Sequence, residues 1–222
     1  MSKKIEMEKL VDDLVFIKQA IRKNNNVFKY FSVSRAMKWV LLYAGILIIS
    51  LSLLINTIIT RYASWQLAPT GLKLLIYGAA IVGLLVIVVI KLRTIVKAAK
   101  SVESDMSVVK LIKEVYTGQT LMIIIPYFIS IVLIITFFNQ QDLNHFIAPF
   151  LAVLFGLLTN SLVNVFHVKE MIVMGDWLIL TGFIALFFLN PLNPAIIVAL
   201  TFGLGCIIMY LAILFSTKRE EE

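Results

Sequence analysis

Residues 146–166 read "FIAPFLAVLFGLLTNSLVNVF", a stretch without a charged residue. As a helix rising 1.5 Å per residue it would be about 31 Å long, which matches the ~30 Å hydrocarbon core of a bilayer. The stretch therefore predicts a membrane-crossing helix rather than the core helix of a soluble domain. The composition agrees, because 60% of the 222 residues are hydrophobic and 15% are charged, whereas soluble proteins carry about 25% charged residues.

Five more apolar runs have the length and composition of a span. The six predicted spans cover residues 39–60, 72–90, 120–138, 146–166, 171–189 and 194–215. The fifth contains Asp176, which we place near the membrane interface, where its carboxylate can reach water. We expect no cleavable signal peptide, because the first apolar run begins only near residue 39. The sequence thus predicts an all-α fold, a polytopic six-transmembrane-helix bundle with cytoplasmic helical extensions.

The basic residues predict how the chain is threaded. All but two of the 20 Lys and Arg residues lie on one side of the predicted spans, the exceptions being Arg61 and Lys73. Positively charged loops stay in the cytoplasm, so we expect both termini to be cytoplasmic. The formal net charge of +7 is explained by loops that face anionic lipid, and we predict no nucleic-acid partner.

The polar segments on the basic side have helical patterns of their own. We predict a cytoplasmic amphipathic helix and linker over 1–38, a six-span domain over 39–217 with a helical connector over 91–119, and a charged tail over 218–222. One stripe of the first helix is apolar: Met7, Leu10, Leu14, Ile17 and Ile21. Such a stripe fits a surface for a second copy of the chain or a cytoplasmic protein, and it equally fits a helix lying on the bilayer.

The fourth span carries a narrow face of small and polar residues: Gly156, Asn160, Asn164 and His167. Their spacing of 4, 4 and 3 places them on one side of a helix. One interpretation is close packing, with amides hydrogen-bonded to a neighbouring helix. The other is a path for water or a solute, with its inner mouth near His167, Glu170 and Asp176. An asparagine facing lipid would leave its amide unsatisfied, so either interpretation turns this face inward.

The sequence contains few residues of the kinds that form catalytic or metal sites. Cys206 is a single cysteine, and His145 and His167 would lie about 33 Å apart along one helix, so they cannot share a metal within one chain. Acidic and basic side chains are absent from the deep part of every predicted span, which disfavours a proton- or sodium-driven pump. We predict no cofactor and no metal site.

Nearly the whole chain resembles a family of six-span bacterial inner-membrane proteins with an N-terminal amphipathic helix. The matching segments are "LVFIKQAI", "YFSVSR", "IIIPYF", "APFLAVLFGL", "KEMIVMG", "TGFIALFF" and "FGLGCIIMY". Arg35 departs from the family pattern, which has glycine there. The resemblance implies a six-span fold in a bacterial inner membrane. No activity is established for the family.

Three hypotheses for function remain. The sequence favours a non-enzymatic interaction, signalling or assembly protein that uses its cytoplasmic helices. The alternative is a small-solute channel or carrier lined by Asn160, Asn164 and His167. The least favoured is an intramembrane enzyme that uses His167, Glu170 and Asp176, because such enzymes carry denser clusters of His and Asp.

Overall fold

The chain folds into helices that pack side by side. The structure, a computed structural model, describes residues 34–100, 109, 117–166, 168–188 and 192–219. The helices are α1 (Ser34–Tyr62), α2 (Thr70–Lys100), α3 (Gly118–Gln140), α4 (Ile147–Phe166), α5 (Glu170–Phe188), α6 (Pro194–Val198) and α7 (Leu204–Arg219). A 3-10 turn, Asn144–Phe146, precedes α4, and a π-helical turn, Ala199–Gly203, joins α6 to α7.

Six stretches of these helices are long and apolar enough to cross a membrane. They are Lys38–Tyr62, Thr70–Thr94, Thr120–Gln140, Asn144–Phe166, Glu170–Phe188 and Pro194–Ser216. The predicted all-α, six-span fold is confirmed, and the chain is a multi-pass membrane protein.

The spans divide into an inner and an outer group. The pair α4–α5 makes the most extensive contact, and α7 packs against both α1 and α5, while α6 packs against α1 and α4. By contrast, α2 packs mainly on α1, and α3 mainly on α4 and the turn before it. In the most apolar window of each span, 44% of the residues of the sixth are buried, against none in α3. The second and third spans are therefore peripheral, and most of their surface is exposed.

Hydroxyl side chains fit this apolar setting because they bond to their own helix. In each case the side-chain hydroxyl donates a hydrogen bond to the backbone carbonyl four residues earlier. The residues that do so are Thr57, Thr60, Thr94, Ser130, Thr136, Thr159, Ser161, Thr181 and Thr201. A hydroxyl satisfied in this way leaves no unpaired donor in hydrocarbon. Serine and threonine in these spans therefore do not by themselves indicate a water path.

A buried apolar cluster closes each end of the inner group. At one end Val168, Met209 and Ile213 are buried, with Leu41 of α1 packed against them. We call this the basic end, because Lys38, Lys169 and Lys218 adjoin the same helix ends. At the other end Ala148, Ala185 and Ile197 form a second buried cluster.

The π-helical turn lies where α1 crosses the sixth span. A Cβ built on Gly203 would lie 2.5 Å from the Cγ1 of Ile49, and one on Gly45 would lie 2.9 Å from the carbonyl oxygen of Gly203. The two backbones therefore touch at this crossing. The indole N–H of Trp177 donates to the carbonyl of Leu200 within the turn at 3.1 Å. This bond joins α5 to the sixth span.

Glycine in this bundle marks close contact at some positions and not at others. The small residues of the spans predict helix contacts at Gly78, Ala79, Ala80, Gly83, Gly182, Gly203 and Gly205. Gly83 lies against Leu47 of α1, and a Cβ on Gly182 would meet the backbone of α4. The prediction is wrong for Gly78, because no atom of the described residues lies within 4 Å of a Cβ there. Its position on a peripheral helix, facing away from α1, explains the difference.

The predicted cytoplasmic segments fall largely outside the described residues. This holds for the apolar stripe from Met7 to Ile21 and for most of the connector 91–119. Within the connector, residues 91–100 belong to α2, which runs without interruption to Lys100, ten residues beyond the predicted end of the second span, and α3 begins at Gly118.

The α1 crossing can be tested with two matched substitutions. We expect Gly45→Ala to lower the free energy of unfolding by about 1–3 kcal/mol, because the new methyl group meets the Gly203 carbonyl and neither backbone can move aside. Circular dichroism during titration with a denaturing detergent measures this change.

Gly78→Ala is the control, since it adds the same methyl group to the middle of another spanning helix with open space around it. Its unfolding should match wild type or shift toward higher stability, because Ala favours helix over Gly. Equal destabilisation by both variants would contradict close packing at Gly45.

Candidate functional site

The α4–α5 hairpin is built on small residues. Buried positions of α4 repeat every four residues at Ala148, Ala152 and Gly156, so they form one stripe. The buried positions of α5 are Gly175, Leu178, Gly182 and Ala185. Stripes of small residues let membrane helices approach each other closely.

The approach is close enough for the two backbones to touch. A Cβ on Gly156 would lie 2.6 Å from the carbonyl oxygen of Gly175, and one on Gly182 would lie 3.0 Å from that of Pro149. Any side chain at these positions would force the helices apart. Gly156, one of the predicted site residues, therefore lies in a helix–helix contact.

Asn160 continues this stripe and joins it to a carboxylate. Its Nδ2 donates to Oδ1 of Asp176 at 2.8 Å. Its own Oδ1 is buried, accepts no hydrogen bond within the described part of the chain, and lies against the Cα of Gly175, where a Cβ would collide with it. A Cα hydrogen of Gly175 points along that direction, so a weak C–H···O contact takes the place of a hydrogen bond.

The remaining predicted residues lie near the turn between α4 and α5. Asn164 is exposed, Glu170 is half-buried in the first turn of α5, and Asp176 is exposed six residues further along. Six residues separate these two carboxylates by about 9 Å along the helix. His167 lies outside the described residues.

A polar contact that the sequence did not predict joins α3 to α4. The hydroxyl groups of Tyr127 and Ser161 lie 3.0 Å apart. Together with the Asn160–Asp176 bond, it places polar side chains on both flanks of α4 at a similar level. No group of three His, Cys, Asp or Glu side chains in the described residues could hold a metal ion.

The positions of Asn160 and Asp176 relative to the α4–α5 turn are enough to predict that they meet. A short turn between antiparallel helices brings together residues equally far from its centre. Asn160 and Asp176 are both eight residues from Val168, at the α4–α5 turn. The Tyr127–Ser161 contact had no such signal, because these residues are 34 positions apart and a long-range helix pairing decides their meeting.

Comparison with known proteins gives no further information on this site. None of the protein-family models, curated proteins or solved structures compared with the chain matches it. The resemblance to a six-span bacterial family stays a prediction.

The roles of the two asparagines can be separated by the same substitution at each. We expect Asn160→Leu to destabilise the bundle by about 1–2 kcal/mol, because it removes the bond to Asp176 and sets a branched side chain against Gly175. Thermal unfolding in detergent micelles measures the effect.

Asn164→Leu should leave the melting temperature unchanged, since Asn164 is exposed. A melting temperature lowered equally by both variants would show that Asn164 also packs against a neighbouring helix, contrary to the structure.

Proposed function

We propose that this is a non-enzymatic protein of the bacterial inner membrane, with both termini in the cytoplasm, that acts by assembly. Its polar segments 1–38 and 91–119 engage a second copy of the chain or a cytoplasmic protein, and the six spans hold these segments at the membrane.

The length of α2 carries the proposal. Its 31 residues form a helix about 46 Å long, whereas the hydrocarbon core is about 30 Å thick. The excess lies toward Lys100, and Lys91 and Arg93 in that part are exposed. The second span thus extends out of the bilayer on the basic side as a helix, as a protein needs in order to present a docking segment away from lipid.

The packing of the inner group supports assembly over transport through its centre. The crossings at Gly45 and Gly203 and at Gly156 and Gly175 bring backbones into contact. A solute path between these helices would need space that the contacts occupy.

A second candidate is a solute path on the outer side of α4. The exposure of Asn164 and Asp176 favours it, because polar groups at this depth are costly against acyl chains. Reconstituted vesicles test it. Equal solute flux in wild type and in Asn164→Leu/Asp176→Asn would exclude these residues as its lining.

The orientation can be tested with single cysteines. Cys206→Ser gives a cysteine-free host, since the chain has one cysteine. In intact cells we expect a membrane-impermeant maleimide to label Asp142→Cys but not Lys169→Cys, and in inverted vesicles the reverse. Labelling of Lys169→Cys in intact cells would overturn the proposed orientation.

The assembly surface can be tested on the predicted stripe. Leu14→Asp/Ile17→Asp should abolish self-association or partner binding, because two carboxylates cannot be buried in an apolar interface without strong cost. Crosslinking in native membranes, followed by measurement of oligomeric size, gives the result.

The control is Gln19→Asp/Lys23→Asn, which makes the same change in charge on the opposite side of the predicted helix. It should assemble like wild type. If the stripe variant assembles as well as this control, the proposed surface is wrong.

A further inference from the structure

Helices α3 and α5 both pack on α4, and we call the face of α4 between them the groove. The Tyr127–Ser161 contact fixes α3 on one side of α4, and the Asn160–Asp176 bond fixes α5 on the other. Successive residues of a helix turn by about 100°. Asn164 follows Asn160 by four residues and Ser161 by three, so it points between the two flanking helices. Its exposure agrees with an open groove.

The polar groups of this groove converge. Asp176 is six residues into α5, about 9 Å from the start of that helix, and Asn164 is two residues from the end of α4, about 3 Å from it. Side chains lean toward the N-terminus of their own helix. The Asp176 side chain therefore leans toward the basic end, and that of Asn164, on an antiparallel helix, leans into the bilayer toward it.

A cationic partner would stabilise the negative charge of the Asp176 carboxylate. Its described hydrogen-bond partner is the neutral amide of Asn160, which does not balance a negative charge. A carboxylate in a spanning helix is costly against acyl chains, so near the interface Asp176 is stable only where water or a cation reaches it. A cationic group that enters the groove from the bilayer would remove that cost.

We propose that this groove binds the head group of an amine-bearing phospholipid, with its ammonium on Asp176 and its phosphate on the amide of Asn164. The chemistry recognised is a primary ammonium linked to a phosphate. The groove opens sideways to the bilayer, so a lipid reaches it without leaving the membrane. The site is separate from the cytoplasmic stripe of the proposed assembly function.

Native mass spectrometry of the full chain tests the site, in micelles that contain equal amounts of phosphatidylethanolamine and phosphatidylglycerol. We expect wild type to retain phosphatidylethanolamine about fivefold over phosphatidylglycerol, which corresponds to about 1 kcal/mol. Asp176→Asn keeps a hydrogen-bond acceptor for Asn160 but loses the charge, and should retain the two lipids equally. Asp176→Glu should keep the preference, which separates loss of charge from misfolding.

Asp142→Asn is the control, because it removes an exposed carboxylate from the turn after α3 and should leave the preference unchanged. Asn164→Leu should lower retention of both lipids, since both carry a phosphate. Leu14→Asp/Ile17→Asp should keep the lipid preference whether or not assembly fails, so the two proposals fail separately.

Four results would overturn the proposal. One is equal retention of both lipids by wild type, and another is an unchanged preference in Asp176→Asn. A third is loss of bound phosphatidylethanolamine on adding millimolar phosphoethanolamine, because the site would then take a free amine. The last is carbodiimide coupling of Asp176 to Lys110 or Lys113, because the chain itself would then fill the groove.

Discussion

The bundle depends on direct backbone contact between α4 and α5. Because Gly156 and Gly175 carry no side chain, the two helices meet at the distance of a carbonyl oxygen. Lipid provides little hydrophobic drive for helix association, so close van der Waals contact and a few polar bonds must hold such a pair. Asn160 supplies one of these bonds and fixes the register, since only one alignment places its amide beside Asp176 and its oxygen over Gly175. The position of α5 in turn sets where Trp177 meets the sixth span.

The fold could be predicted from sequence because the length and apolar composition of each span identify it without reference to the other spans. The stretch 146–166 needs no knowledge of its neighbours to be recognised as a crossing helix. Which helix lies beside which is a different question, because apolar side chains are nearly interchangeable between lipid and protein contacts. Two glycines of α2 show that helix contacts cannot be predicted from residue type alone. Gly83 lies against Leu47, whereas no described atom lies close to a Cβ built on Gly78. The candidate site shows the same division. The shared face of Gly156 and Asn160 followed from spacing, whereas the contact between Tyr127 and Ser161 required the placement of α3.

The division into inner and outer spans determines which helices the polar connector 91–119 joins. The outer helices α2 and α3 are consecutive in the chain, yet α2 packs on α1 and α3 on α4. The connector between them therefore links two different flanks of the inner group. A partner that engages this connector would act on the outer helices first and leave the glycine contacts of the inner group intact.

The π-helical turn at Ala199–Gly203 has a consequence for the residue numbering of the faces of the sixth span. A turn of this kind holds one residue more than an α-helix would place in the same height. The residues of α6 and α7 are therefore out of phase by about 100° relative to an uninterrupted helix. Removing one residue from this turn would let the sixth span continue as a regular α-helix without repacking either half.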